Sequence, residues 1–191
     1  MNRLFILLLS LSYFGCSGPQ KKTTPETETA FTQPIVSEDD LITRLSIDLI
    51  AAPKTQLERE SNVIINYAID NLMDVESTTS GLYYEILDAG EGENINWGDY
   101  IEADYKGYFM NGKVFDSTYG KRKDAMQFYV GNTIAGWNEG LQKIAPKGKI
   151  RLLVPSSLAY GEKGLATPKG DTLIPSNSPL IFDIEVLQKL K

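Results

Sequence analysis

Asp99 to Met110 reads as one long strand, carrying Tyr100, Ile101, Ala103, Tyr105, Tyr108 and Phe109, and it runs directly into Asn111-Gly112. Asn-Gly is the strongest short hairpin signal, because both central positions of its tight turn need positive φ. Lys113-Val114-Phe115-Asp116 is therefore expected to return antiparallel. A hairpin alone is marginal in water, so this one requires further strands or a helix to pack on. Gly81 to Leu87, Met126 to Val130, Lys149 to Val154 and Leu180 to Leu187 supply the strands.

The Met126 stretch is broken by Gly131 and Asn132, and Gly136 to Leu141 then leaves room for about two helical turns. Met126, Phe128 and Val130 share a face by the period of two. Phe128, Ile134 and Trp137 could surround one hollow, or could simply be core. The strand lengths suit an α+β fold: a curved antiparallel β-sheet wrapped on a short α-helix. Thr118 to Asp124 and Tyr160 to Ser178 read as loops, the second long enough to rim a site.

Composition narrows the chemistry. A chain of 191 residues with 42% apolar residues suits one domain plus extensions. A net charge of −6 disfavours nucleic acid as a partner. The chain has no histidine, which excludes Ser-His-Asp and Cys-His catalysis and histidine-ligated metals. The single cysteine, Cys16, forbids an internal disulfide and a Cys-x-x-Cys site.

Residues 1–15 have signal-peptide proportions: Arg3, an apolar run from Leu4 to Leu11, then Gly15 directly before Cys16. That junction resembles a bacterial lipobox, with Tyr13-Phe14 a departure from its commonest form. The expectation is cleavage before Cys16, lipidation of its thiol and a membrane anchor. Residues 16–36, with Pro19 to Pro34 rich in Thr, Glu, Lys and Gln, read as a solvated tether. No acidic run follows Cys16, which favours a periplasm-facing envelope location. Residues 37–77 read as a helical extension. Ser37 is a candidate cap for a helix carrying Leu41, Leu45 and Leu49. Thr55-Gln56-Leu57-Glu58 matches the capping-box pattern, and Leu57, Ile64, Ile65, Ala68, Ile69, Leu72 and Met73 recur at helical spacing. Such helices could serve as a dimerisation or client-binding arm, or pack on their own domain.

From Asp104 onward several pieces fall in order: Asp104-Tyr105-Lys106-Gly107, Val114-Phe115-Asp116-Ser117, Ile134-Ala135-Gly136-Trp137, Leu158-Ala159-Tyr160-Gly161, Ile174-Pro175 and Leu180 to Leu187. Together they resemble the FKBP-type peptidyl-prolyl cis/trans isomerases over residues 78–191. With the lipobox and extension the chain resembles the lipoprotein isomerases of Bacteroidetes, including the gliding-motility-associated group. The resemblance implies an FKBP-like fold, proline-containing polypeptide clients, FK506-like macrolide ligands, and no cofactor or metal. It implies pocket walls from Tyr105, Phe115, Met126, Phe128, Thr133 and Phe182, with Ile174 closing the rim. Trp137 would be the floor, the Ile134 N–H and Tyr160 hydroxyl would bind substrate carbonyls, and Asp116 would orient Tyr105 or polarise the site. Met126 stands where the family usually has an aromatic or leucine, and a flexible methionine loosens that wall. Thr133 replaces a common valine, Ser176 follows Pro175 where a second proline is common, and the 162–173 loop looks longer than in minimal members.

Overall fold

The strand that ends at Asn111-Gly112 is the spine of the sheet. The computed structural model describes residues 37–119 and 124–190. The expected leader (1–15), Cys16, the tether (16–36) and 120–123 of one loop lie outside the described residues. Two helices come first, α1 (Glu38–Ser46) and α2 (Gln56–Asp70), followed by β1 (Glu76–Ser77), β2 (Tyr83–Asp88), β3 (Tyr100–Phe109), β4 (Val114–Ser117) and β5 (Met126–Tyr129). The short helix α3 (Ala135–Gly140) precedes β6 (Lys149–Val154), a small pair β7 (Leu165–Ala166) and β8 (Thr172–Ile174), and the long last strand β9 (Leu180–Lys189). The main sheet is antiparallel in the order β1-β2-β6-β9-β3-β4, and β5 pairs with β3 beside β4.

The hairpin forms as expected, but by a different turn. Only Gly112 has positive φ, at 80°; Asn111 does not. The Gly112 N–H donates to the Phe109 carbonyl at 2.8 Å, and the Phe109 N–H to the Lys113 carbonyl at 3.0 Å. This is a turn followed by a left-handed glycine, the three-residue form that carries a bulge, and the β3–β4 register shifts between Gly107 and Tyr108. The Tyr160 to Ser178 stretch also differs from expectation. It holds the β7–β8 pair, with Leu165 opposite Ile174, and Leu165, Leu173 and Ile174 pack on the core.

Adjacent residues on the central strands are buried on opposite faces. Tyr84, Leu152 and Phe182 join Trp137 and Leu141 on the face under α3. Tyr83, Leu153, Ile181 and Tyr108 join Leu41, Leu45, Ile64, Ile65 and Ala68 on the other. Helices α1 and α2 thus pack on their own chain. Their starts follow the sequence: the Ser37 side chain accepts from the Asp40 N–H, and Thr55 and Glu58 form both halves of a capping box. Their ends are earlier than the apolar spacing suggests. Leu49, Leu72 and Met73 lie beyond the helices, and Leu72, at φ 51°, turns outward while Met73 is buried.

Two contacts fix the layers. Helix α3 presents Gly136 and Gly140 to β6, and an added Cβ would stand 2.6 Å from Val154 Cγ1 and 2.4 Å from Leu152 Cδ2. On the other side Glu60, 3% exposed, reaches the end of β6. It accepts from the Ser156 N–H at 2.6 Å, the Ser156 hydroxyl at 2.7 Å and the Gln56 amide at 2.6 Å. A buried carboxylate is tolerable only when hydrogen-bonded in this way. Gly140→Ala should cost about 1–3 kcal/mol of stability through overpacking, read as a lower urea midpoint at unchanged m-value. Glu60→Ala should cost about 2–3 kcal/mol by orphaning Ser156; a midpoint equal to the parent's would show that this bond contributes nothing.

Candidate functional site

Helix α3 sets Trp137 between the sheet and the long loop, 3% exposed. Its ring is bracketed on three sides: Tyr105 edge-on at 5.1 Å, Phe182 edge-on at 5.3 Å and Phe128 tilted at 5.7 Å. Its Nε1 is buried without an acceptor among the described residues. Packing, not hydrogen bonding, therefore holds the indole in place. Over it lies a cavity of about 390 Å³, lined by Tyr105, Phe115, Asp116, Met126, Asn132, Thr133, Ile134, Trp137, Tyr160 and Phe182.

Strand β3 supplies Tyr105, and the end of β4 folds around it. The Tyr105 N–H donates to the Thr118 hydroxyl at 2.9 Å, and its carbonyl accepts from the Thr118 N–H at 3.0 Å and the Ser117 hydroxyl at 3.2 Å. The Tyr105 hydroxyl donates to Asp116 Oδ2, while Asp116 Oδ1 accepts from the Ser117 N–H at 2.9 Å. Gly107 lets the aromatic wall close: a Cβ there would stand 2.6 Å from the Phe115 ring and 3.0 Å from Phe182. Those two rings meet edge-on at 5.7 Å.

The opposite lip is built by a buried amide. Asn138 Oδ1 accepts from the Gly131 N–H at 2.8 Å and the Thr133 hydroxyl at 2.6 Å, and its Nδ2 donates to the Thr133 carbonyl at 2.8 Å. This fixes the turn that carries Asn132 and Thr133 and delivers Ile134 as the N-cap of α3. An N-cap N–H lies outside the helical ladder, so the Ile134 donor is left for another acceptor. Thr133 lines the cavity, but its hydroxyl is committed to Asn138.

Most of the residues named from sequence are thus gathered in one hollow; two are not. Ile174 is 1% exposed and lies in the core outside the cavity lining, so it cannot close a rim. Its place on β8 opposite Leu165 turns it inward. Phe128 is buried against Trp137 and braces the floor from outside the lining. Met126 does line the cavity, and at 38% exposed it stands at the mouth instead of sharing Phe128's burial. Asn132 and Asn138 were not anticipated. The only hint was an asparagine amid the buried positions of a short helix, where an amide needs partners.

Burial raises the Tyr105 hydroxyl well above its ordinary value, helped by its bond to Asp116 and the nearby Tyr160. Burial also raises Tyr160, with the Asp116 charge adding to it. Both are therefore neutral donors throughout the neutral range. The folded state holds these protons more tightly than the unfolded chain, so their contribution to stability is complete below the ordinary tyrosine value of 10.0. It is lost as pH rises through the raised folded values. Urea midpoints should accordingly stay level with respect to these tyrosines up to about pH 10 and fall above it, with the fall reduced in Tyr105→Phe.

The site is thus an apolar, aromatic-walled hollow with a tyrosine–carboxylate pair at one side and a helix N-cap at the other. A family model described as FKBP-type peptidyl-prolyl cis-trans isomerase matches residues 91–187, half of the chain. The chain is 44% identical over 114 residues to a probable FKBP-type peptidyl-prolyl cis-trans isomerase of Haemophilus influenzae, covering 60% of this chain and 45% of the relative. It is 40% identical over 113 residues to FkpA, an FKBP-type peptidyl-prolyl cis-trans isomerase of Escherichia coli K12, covering 59% and 39%. The crystal structure of FkpA from Escherichia coli matches with a TM-score of 0.59 and 32% identity over 77% of this chain and 63% of that one. The chain belongs to the FKBP-type peptidyl-prolyl cis-trans isomerase family. It spans less than half the length of these curated relatives, 45% and 39%.

Proposed function

We propose that the chain is a prolyl isomerase, accelerating rotation about X–Pro bonds of client polypeptides held over Trp137. The observation that carries this is the 390 Å³ hollow itself, apolar on most sides with its polar groups confined to two lips. An X–Pro bond rotates over a barrier of about 18–20 kcal/mol set by amide resonance. No bond to the substrate forms or breaks. Catalysis requires only that the twisted amide be held better than either planar form. Twisting removes resonance, leaving a less polar carbonyl, so an aromatic pocket favours the twisted state relative to water. The Ile134 N–H and Tyr160 hydroxyl fix the flanking carbonyls so that one part of the chain rotates against the other. Asp116 holds the Tyr105 hydroxyl and so keeps that wall in place. The same floor and walls suit FK506-like macrolides.

The test is an isomerisation assay with a proline tetrapeptide and the full chain in mild detergent. Asp116→Ala and Tyr160→Phe should each lower kcat/KM by about three- to tenfold, the worth of one hydrogen bond, and a macrolide should inhibit. Rates equal to the enzyme-free blank would favour the second reading, a binding module or chaperone of the same fold. The flexible Met126 at the mouth is the feature that favours it.

Location belongs to the same reading. Gly15-Cys16 after an apolar run supports a lipid anchor in the cell envelope, facing the periplasm, with exported proteins as clients. Fatty-acid labelling should mark the parent and not Cys16→Ser; label on neither removes the anchor. The motif and the helical extension also support a place among gliding-motility lipoproteins of Bacteroidetes, although the relatives found are proteobacterial. Complementation of a deletion strain by Asp116→Ala would assign any motility role to something other than catalysis.

A further inference from the structure

A larger cavity, about 630 Å³, lies where α2 meets the domain, away from Trp137. Three segments wall it: Arg59 and Val63 from α2, Phe109 and Lys113 from the β3–β4 hairpin, and Leu173 and Pro179 from the segment before β9. Helix α2 precedes the family-matched residues 91–187, so the groove exists only because the extension is docked there. Val63 stands 46% exposed in its wall, an apolar side chain left open on a helix whose other face is buried.

The groove is not isolated from the proline hollow. Phe109, in its wall, meets Phe115 at 5.2 Å; Phe115 meets Phe182 at 5.7 Å, and Phe182 meets Trp137 at 5.3 Å. Phe115 lines the hollow, so the two spaces share the Phe109–Phe115 wall. Three such ring steps span at most about 16 Å, which an extended chain covers in about five residues.

Charge gives the groove a sign. Glu60 is its one acidic lining residue among the described residues, and that carboxylate is turned to Ser156 and Gln56. Arg59 gives its hydrogen bonds to neutral oxygens, the Lys54 carbonyl at 3.0 Å and the Gln56 side chain at 3.1 Å. Lys113 forms no ion pair with the described residues. Two exposed cations, Arg59 with Glu58 beside it and Lys113, thus face a trough of mixed apolar and neutral polar lining on a chain of net charge −6.

We infer that this groove is a second subsite for the client chain. It takes an extended segment about five residues from the proline, one carrying apolar and acidic side chains. The inference rests on the isomerase reading for where the proline sits. Its test is binding of fluorescent peptides of about ten residues with one X–Pro bond, an apolar residue and a pair of aspartates on the N-terminal or the C-terminal side. Lysine-bearing counterparts serve as the comparison. At low salt the aspartate peptide should bind the full chain about fivefold tighter on one side of the proline only. The margin should shrink with added salt. Arg59→Glu with Lys113→Glu should reverse the preference, with far-UV circular dichroism showing an intact fold. Equal affinities, a preference that survives the double reversal, or dimerisation that displaces peptide would each overturn the inference. A tetrapeptide turned over no faster than the blank would sink the isomerase reading instead, while the charge preference would still be read directly from the affinities.

Discussion

The close approach of α3 to β6 is the contact on which the site depends. Gly136 and Gly140 remove the side chains that would hold the helix away from Val154 and Leu152. Trp137, between them in sequence, is then forced to the other side, against Tyr105, Phe128 and Phe182. A helix this short has little stability of its own. It is held by that packing, and the packing also puts its N-cap at the lip of the hollow. Floor, walls and the Ile134 donor are therefore consequences of one contact, not separate inventions. Asn138 adds the polar fastening that the loop before the helix needs.

How much of this was legible in the sequence depended on distance along the chain. The helix starts at Ser37 and Thr55 were readable, because a cap involves residues three apart. The β3–β4 hairpin was readable from Asn111-Gly112, although its turn type was not: both forms use a left-handed glycine, and they part at the φ of Asn111, which its side chain leaves open. Trp137, Tyr105, Asp116 and Phe182 could be grouped through the order of their motifs. Ile174 and Phe128 could not be placed, because neither motif nor period says whether a side chain at the edge of a hollow lines it or supports it. The bond from Glu60 to Ser156 joins residues 96 apart, and no local pattern announces such a pair.

That bond also changes how the extension is understood. Alternating apolar residues on β2, β6 and β9 would leave Tyr83, Leu153 and Ile181 facing water if the sheet were covered only by α3. Helices α1 and α2 cover them, and α2 contributes one wall of a groove that the family-matched region alone lacks. The extension is thus structural on one face and surface-forming on the other.

The sheet closes off both of its flanks with very short strands. One border is β1, two residues long; the other is shared by β4 and β5, four residues each, laid end to end along β3. Unsatisfied backbone on a long border would template any extended polypeptide that came near. A protein proposed to handle unfolded chains meets such polypeptides constantly. Cutting its borders into pieces of two and four residues denies them a continuous register to zip against. The clients proposed above would then engage through side chains and single carbonyls instead of adding a strand to the sheet.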